Sequence, residues 1–208
     1  HYTRIIDVLC VCTANMCRSP LLEVLIASAL RARGVDAHVH SAGTMADGRG
    51  AVPEMVELAA QRGLDLRTHV GRRLDPELGR GADLVLPLAR EHLREVVVTS
   101  PEAFGRTFTP KELVRRAVAV GGRRPDEALD VFLARAHEGR TAHQLLRADP
   151  ADDVADPIGG PRSGYERTAS ELDGLTAAIA VLLTPILASG ASPGTPGSSR
   201  SLSPLQER

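Results

Sequence analysis

The stretch Ile5-Ile6-Asp7-Val8-Leu9-Cys10-Val11-Cys12-Thr13-Ala14-Asn15-Met16-Cys17-Arg18-Ser19-Pro20-Leu21-Leu22 decides how the chain folds. Its first part, Arg4–Val11, is short, apolar and rich in β-branched residues, the pattern of a strand buried in a parallel sheet. Further on, Leu21, Leu22, Leu25, Ile26, Ala29 and Leu30 recur at helical spacing until Gly34 stops the helix. Ser19 suits the helix N-cap and Pro20 the first helical position. Strand, tight loop and helix follow one another, with Thr13, Ala14, Asn15, Met16 and Cys17 as the loop.

The rest of the chain extends this unit. Val35–Ser41 reads as a second strand, Pro53–Gln61 as a helix ended by Gly63, and Ala82–Leu86 as a third strand. Glu91–Arg94 reads as a helix and Val96–Thr99 as a fourth strand. This alternation predicts an α/β fold: a three-layer sandwich with a four-stranded parallel sheet and helices on both faces. Pro101–Ala148 breaks the rhythm. Helices are expected there over Pro110–Ala119, Pro125–His137 and, shorter, Thr141–Arg147. Asp149–Gly164 reads as loop and Glu166–Leu183 as an amphipathic helix. From Ser189 onward Gly, Ser and Pro dominate, so residues 189–208 are expected to be a disordered tail on a domain of residues 1–188, with 101–148 as a helical insertion.

Composition excludes several classes. The 208 residues carry a net charge of −1, which argues against bulk binding to nucleic acid or to an anionic membrane. No stretch approaches the ~18 apolar residues of a membrane span. No basic region followed by an apolar run and a cleavage site opens the chain, so no export is expected. The three cysteines, Cys10, Cys12 and Cys17, lie within eight positions and make no disulfide framework. They suggest a reducing, cytoplasmic setting and a local thiol site. Lys111 is the only lysine among 25 basic residues. Aromatic residues are scarce: Tyr2, Phe104, Phe108, Phe132 and Tyr165 are all there are.

The loop after the first strand can turn successive N–H groups inward as an anion nest, and the helix N-terminus adds partial positive charge there. Arg18 can supply two parallel N–H bonds to an oxyanion. A cysteine at the base of such a cradle has its thiolate stabilised and is placed for in-line attack on phosphorus.

The segment Val11-Cys12-Thr13-Ala14-Asn15-Met16-Cys17-Arg18-Ser19-Pro20 resembles the phosphate-binding loop of low-molecular-weight protein-tyrosine phosphatases. Ser41-Ala42-Gly43-Thr44, Gly63-Leu64-Asp65-Leu66-Arg67-Thr68-His69, Ala82-Asp83-Leu84-Val85-Leu86 and Asp156-Pro157 resemble further segments of that family, in order. The resemblance implies that family's fold and a cysteine-dependent phosphomonoester hydrolase working through phosphocysteine. It implies Cys12 as nucleophile, Arg18 as holder of the phosphoryl oxygens, and Ser19 as hydrogen-bond donor to the Cys12 sulfur. Asn15, Ser41 and His69 would brace the loop, and Asp156 would be the acid and then the base. No cofactor or metal is implied. The expected partner is a phosphorylated protein, a phosphotyrosine protein first, or a small phosphoester. Arsenate reduction with a small thiol is the alternative chemistry. Cys17 is open between a redox partner for Cys12 and a small packed residue, while Cys10 reads as a core thiol.

The sequence also departs from the family. Where relatives place aromatic residues beside the loop, this chain has Asp47, Ile158 and Gly159, and Ala89 stands where a carboxylate is common. Phe132 reads as core, and Phe104 and Phe108 are read first as burying a helix onto the domain; if a ring is gripped, the wall is expected from Phe104, Phe108 or Tyr165. Asp149, Asp152 and Asp153 crowd the acid loop beside Asp156. His38 and His40 alternate on a strand and share one side, yet no third ligand is evident, so solvent-facing histidines are expected. Arg72 and Arg73 are open between a basic entrance and a solvated pair.

Overall fold

A computed structural model describes residues 5–146 and 150–186. Three parallel strands, β1 (Ile6–Cys12), β2 (Ala37–Gly43) and β3 (Leu84–Pro87), lie in the order β2-β1-β3. Among the described residues seven helices surround them: α1 (Arg18–Ala32), α2 (Pro53–Ala60), α3 (Pro76–Gly81), α4 (Arg90–Thr99), α5 (Pro110–Ala119), α6 (Leu129–His137) and α7 (Arg162–Leu183). Short 3-10 turns occupy Pro101–Arg106, Ala142–Leu146 and Pro150–Asp152.

β1 is central, so both its faces are buried. Val8, Cys10 and Cys12 pack with residues of α1, α2 and α7, whereas Leu9 and Val11 pack with Ala42, Val85 and Val96 on the other face. This two-sided burial makes the apolar run continuous rather than alternating. Every residue of β1 is paired in register with β2, from Ile6 beside Ala37 to Cys12 beside Gly43. Cys12 therefore ends the central strand at the carboxyl edge of the sheet, where open α/β sheets bind ligands.

The fourth strand is not formed. Val96–Thr99 lies inside α4. His92, Leu93 and Val96 are its buried residues, one helical stripe, and Val98 is 77% exposed. The run of β-branched residues suggested a strand, but the burial follows a helical period. The place beside β3 is taken by Thr107, through a single parallel bridge with Val85, and Phe108 N–H donates to the Val85 carbonyl at 3.1 Å.

The helix over Pro110–Ala119 forms as expected. Its start is set by Thr109, whose hydroxyl accepts from Glu112 N–H, and by Pro110 at the first position. The expected N-cap of α1 is corrected. The helix begins at Arg18, with Cys17 in the cap position and no side-chain cap bond. Ser19 is turned inward and makes other bonds. Gly34, at φ +67°, ends that helix as expected. The Gly/Ser/Pro-rich segment from Ser189 lies outside the described residues, as does Asp149.

Candidate active site

The loop between β1 and α1 is held from outside. Thr44 N–H donates to the Cys12 carbonyl (3.0 Å), Met45 N–H to that of Thr13 (2.8 Å) and Val52 N–H to that of Met16 (2.9 Å). Carbonyls engaged in this way leave the N–H groups of Thr13–Cys17 for the concave side, beside the start of α1. Asn15 adopts φ +55°, a left-handed conformation that asparagine tolerates better than most residues. It is fully buried and fully partnered. Its Nδ2 donates to Ser19 Oγ (2.9 Å) and Ser41 Oγ (2.8 Å), and its Oδ1 accepts from Arg72 N–H (2.9 Å). Its carbonyl lies 2.7 Å from His69 Nε2, which must therefore carry the hydrogen. The bracing residues expected from sequence, Asn15, Ser41 and His69, thus meet in one network, which Ser41 extends to Glu23 (2.5 Å).

Gly43 ends β2 directly beneath this loop. A Cβ there would lie 2.6 Å from the Thr13 carbonyl oxygen and 2.8 Å from Asn15 N, both main-chain atoms. Gly43→Ala is expected to displace the loop and weaken phosphate binding by at least about tenfold, since overpacking in a tight core costs ~1–3 kcal/mol. Phosphate titration followed by thermal melting checks this; an unshifted affinity would show that the loop does not depend on the close approach.

Cys12, 2% exposed, has its sulfur 3.0 Å from Ser19 Oγ. Ser19 Oγ already accepts from Asn15 Nδ2. Its own hydrogen is then free to point at the sulfur, since its other acceptor, the Ala42 carbonyl, is at 3.5 Å. Arg18 is 4% exposed. Its Nη1 donates to the Val154 carbonyl (3.1 Å) and its Nη2 to Asp156 Oδ2 (2.6 Å), while Nε has no hydrogen-bond partner among the described residues. The Nε–Nη2 edge is the one that can grip an oxyanion with two parallel bonds, and Asp156 holds one of its two positions.

The other acid-loop carboxylates are placed elsewhere. Asp152 is buried against Arg115, and Asp153 accepts from Arg90 N–H at 2.7 Å. Of the described aspartates, Asp156 is the one hydrogen-bonded to Arg18.

One neighbour was not legible in the sequence. His92, on α4, is 1% exposed and its Nε2 lies 2.8 Å from Thr13 Oγ1. Burial, aided by the Arg18 cation, pushes its imidazole down to about 3, so it stays neutral at ordinary pH. It would have to be read across 79 residues, with no spacing signal. Burial pushes the Cys10 and Cys17 thiols up, which leaves both as protonated, packed groups.

Several expectations are settled by contacts. Phe108 and Phe132 are fully buried, and Phe104 and Phe108 stack on the Arg140 guanidinium (4.8 and 4.2 Å). Tyr165 is buried with its hydroxyl accepting from Gly159 N–H. None of the three expected aromatics lines the cleft beside Cys12, so the aromatic wall is not formed. The mouth is lined by Met45, Arg73, Glu91 and Glu95 on one side and Arg90, Arg94 and Asp153 on the other. Arg72 turns away onto His40 Nδ1 (2.6 Å), and Arg73 lines the mouth. A cavity of about 580 Å³ between α6 and the 101–106 turn shares no lining residue with the loop.

His38 and His40 do have a third group, Asp7, which sits beside His38 across the strands. His38 Nδ1 and His40 Nε2 lie 2.8 and 2.7 Å from its two oxygens. Arg72 can only donate to His40 Nδ1, so His40 carries its hydrogen on Nε2, facing Asp7. The set reads as a carboxylate–imidazole–guanidinium relay filled by protons.

The family model of low molecular weight phosphotyrosine protein phosphatases matches residues 7–119, ending with α5. The chain is 30% identical over 175 residues to the protein-arginine-phosphatase of Bacillus subtilis (strain 168), covering 84% of this chain and 94% of that protein. It is 39% identical over 108 residues to the low molecular weight protein-tyrosine-phosphatase Etp of Escherichia coli (strain K12), covering 49% of this chain and 67% of that protein. The crystal structure of the low molecular weight protein tyrosine phosphatase from T. tengcongensis superposes with a TM-score of 0.63 at 34% identity, over 84% of this chain and 97% of that one. With a buried cysteine at the carboxyl edge of a parallel sheet, an arginine paired with a carboxylate beside it, and these similarities along most of its length, the chain belongs to the low molecular weight phosphotyrosine protein phosphatase family.

Proposed function

We propose that this chain hydrolyses phosphorylated protein side chains through a phosphocysteine intermediate on Cys12. The observation that carries this reading is the Cys12 sulfur, held 3.0 Å from the Ser19 hydroxyl at the start of a braced loop that leads into α1 and its first residue, Arg18. The cycle balances without a further reactant. The Cys12 thiolate attacks phosphorus, and the S–P bond forms as the bond to the leaving atom breaks. Asp156 gives its proton to that atom. The departing group would otherwise leave as a poor anion. The phosphoryl oxygens take the Nε–Nη2 edge of Arg18, releasing Asp156 from its ion pair to act as acid. Asp156 then removes a proton from water, which attacks phosphorus and expels the thiolate, and the Ser19 hydroxyl stabilises the sulfur as charge returns to it.

The cytoplasm fits this chemistry, since Cys10, Cys12 and Cys17 are all free. No helix among the described residues is long and apolar enough to cross a membrane.

The mouth favours one side chain over another. Among the described residues that line it there is no Phe, Tyr or Trp, and charged groups of both signs line it. A phosphotyrosine ring would meet Met45 in place of an aromatic partner, which forgoes on the order of 1 kcal/mol of ring contact. A polar phosphorylated side chain such as phosphoarginine loses nothing there. We therefore expect phosphopeptides to exceed small phosphorylated metabolites in kcat/KM by at least about tenfold, with phosphoarginine peptides at or above phosphotyrosine peptides. A steady-state comparison of the three substrate sets checks this. Preference for a metabolite, or thiol-dependent reduction of arsenate with no ester hydrolysis, would overturn it.

A further inference from the structure

We infer that Lys111 and Arg115, one turn apart on α5, are positioning residues that hold the acid loop so that Asp156 reaches the leaving atom. The inference rests on the proposed role of Asp156.

The loop from Asp152 to Asp156 has its own set of clamps. Asp152, 3% exposed, accepts from Arg115 Nη2 on both oxygens, at 2.8 Å (Oδ1) and 3.0 Å (Oδ2), and Arg90 Nη1 stands 3.8 Å from Oδ2. The next carbonyl, that of Asp153, accepts from Lys111 Nζ at 2.6 Å. The same Nζ pairs with Glu171 of α7 at 2.6 Å, which fixes the ammonium between α7 and the loop. Val154 is then pinned on both sides: its N–H donates to the Leu88 carbonyl (2.8 Å), and its carbonyl accepts from Arg18 (3.1 Å). The Ala155 carbonyl accepts from Thr168 Oγ1 (3.2 Å).

This distribution separates two kinds of clamp. The bonds to Val154 come from β3's exit and from Arg18, which are parts of the phosphate site itself. The bonds to Asp152 and Asp153 come from α5, outside the strand–loop–helix unit that carries Cys12 and Arg18. A buried carboxylate needs its cationic partner, since an unpaired one costs several kcal/mol and its loop rearranges instead. An ammonium on a carbonyl is a charge-assisted bond with the same consequence for the peptide it holds. Asp156 lies only three residues beyond the Lys111 bond, and proton transfer tolerates little misplacement. Lys111 and Arg115 bond to the acid loop itself, at the Asp153 carbonyl and the Asp152 carboxylate.

The test compares aryl phosphates whose leaving groups differ in basicity, with the double variant Lys111→Met/Arg115→Met in the full chain. The variant is expected to lose about tenfold or more in kcat/KM on phenyl phosphate, and less than about twofold on 2,4-dinitrophenyl phosphate, whose anion leaves without a proton. Inorganic phosphate should protect both proteins equally against thermal unfolding. Lys111→Arg alone should restore most of the loss, because it returns a cation to the Asp153 carbonyl. In an Asp156→Ala background the double variant should cost nothing further. Equal loss on both substrates, or an additive loss in that background, would overturn the inference while leaving Asp156 as the acid. If Asp156→Ala itself treats both leaving groups alike, the proposed acid fails and this inference fails with it. A variant too unstable to assay is replaced by Asp152→Asn, which weakens the Arg115 clamp and leaves the Lys111 bond in place; a smaller loss is expected, again on phenyl phosphate and not on 2,4-dinitrophenyl phosphate, and equal loss on both would overturn the inference.

Discussion

Cys12→Ser is expected to abolish turnover on every phosphate substrate, by a factor on the order of 10⁴ or more, while inorganic phosphate still binds. The sulfur is the only part of the site that this change removes. The loop is held by Asn15, His69 and Ser41, by the carbonyl bonds from Thr44 and Met45, and by the close approach of Gly43. None of these touches the Cys12 side chain, so the anion cradle survives. A serine hydroxyl has no neighbouring base to activate it: Ser19 Oγ, 3.0 Å from the sulfur, is itself a donor to that position. Steady-state rates together with a phosphate-dependent thermal shift separate the two properties. Retention of rate would mean that another group attacks phosphorus.

Asp156→Ala is expected to have the second-largest effect, and its size should depend on the substrate. General acid catalysis contributes roughly 10²–10⁴-fold. The upper part of that range should appear with alkyl or phenyl esters, and little of it with an activated nitrophenyl ester. A second consequence follows from the ion pair. Asp156 occupies the Nη2 position of the Arg18 fork at 2.6 Å. Its removal leaves that edge unopposed, so inorganic phosphate should bind as tightly as before or tighter. A matched loss of phosphate affinity and rate would indicate that Asp156 shapes the anion site rather than moving a proton.

The phosphate loop was legible in the sequence because its grammar is local. A buried strand, five loop residues and a helix start lie within 15 positions, and main-chain geometry does the rest. The start of α5 was legible for the same reason, from Thr109 and Pro110. Asp75-Pro76 carries the same kind of signal for α3, where Asp75 accepts from Leu78 N–H, and it went unread. What escaped is non-local. Val96–Thr99 has strand composition, but packing against the sheet selects a helical stripe through His92, Leu93 and Val96. Thr13 and His92 meet across 79 residues of sequence, and Asp152 and Arg115 across 37, pairs that no spacing rule connects. The third partner of His38 and His40 was hidden in strand register, since Asp7 becomes their neighbour only when β1 pairs with β2. Phe104 and Phe108 were open between a cleft wall and burial because their neighbour was not visible. Arg140 draws both into a cation–π stack that also holds the buried Glu112.

The most direct test of the central claim is to find the phosphoryl group on the enzyme. The protein is mixed with an activated aryl phosphate, quenched in acid within a turnover, digested and sequenced by tandem mass spectrometry. The account predicts phosphate attached to the sulfur of Cys12, formed in a burst equal to the enzyme present and absent from Cys12→Ser. Turnover with phosphate on another residue, or with no covalent phosphate at any quench time, would contradict it.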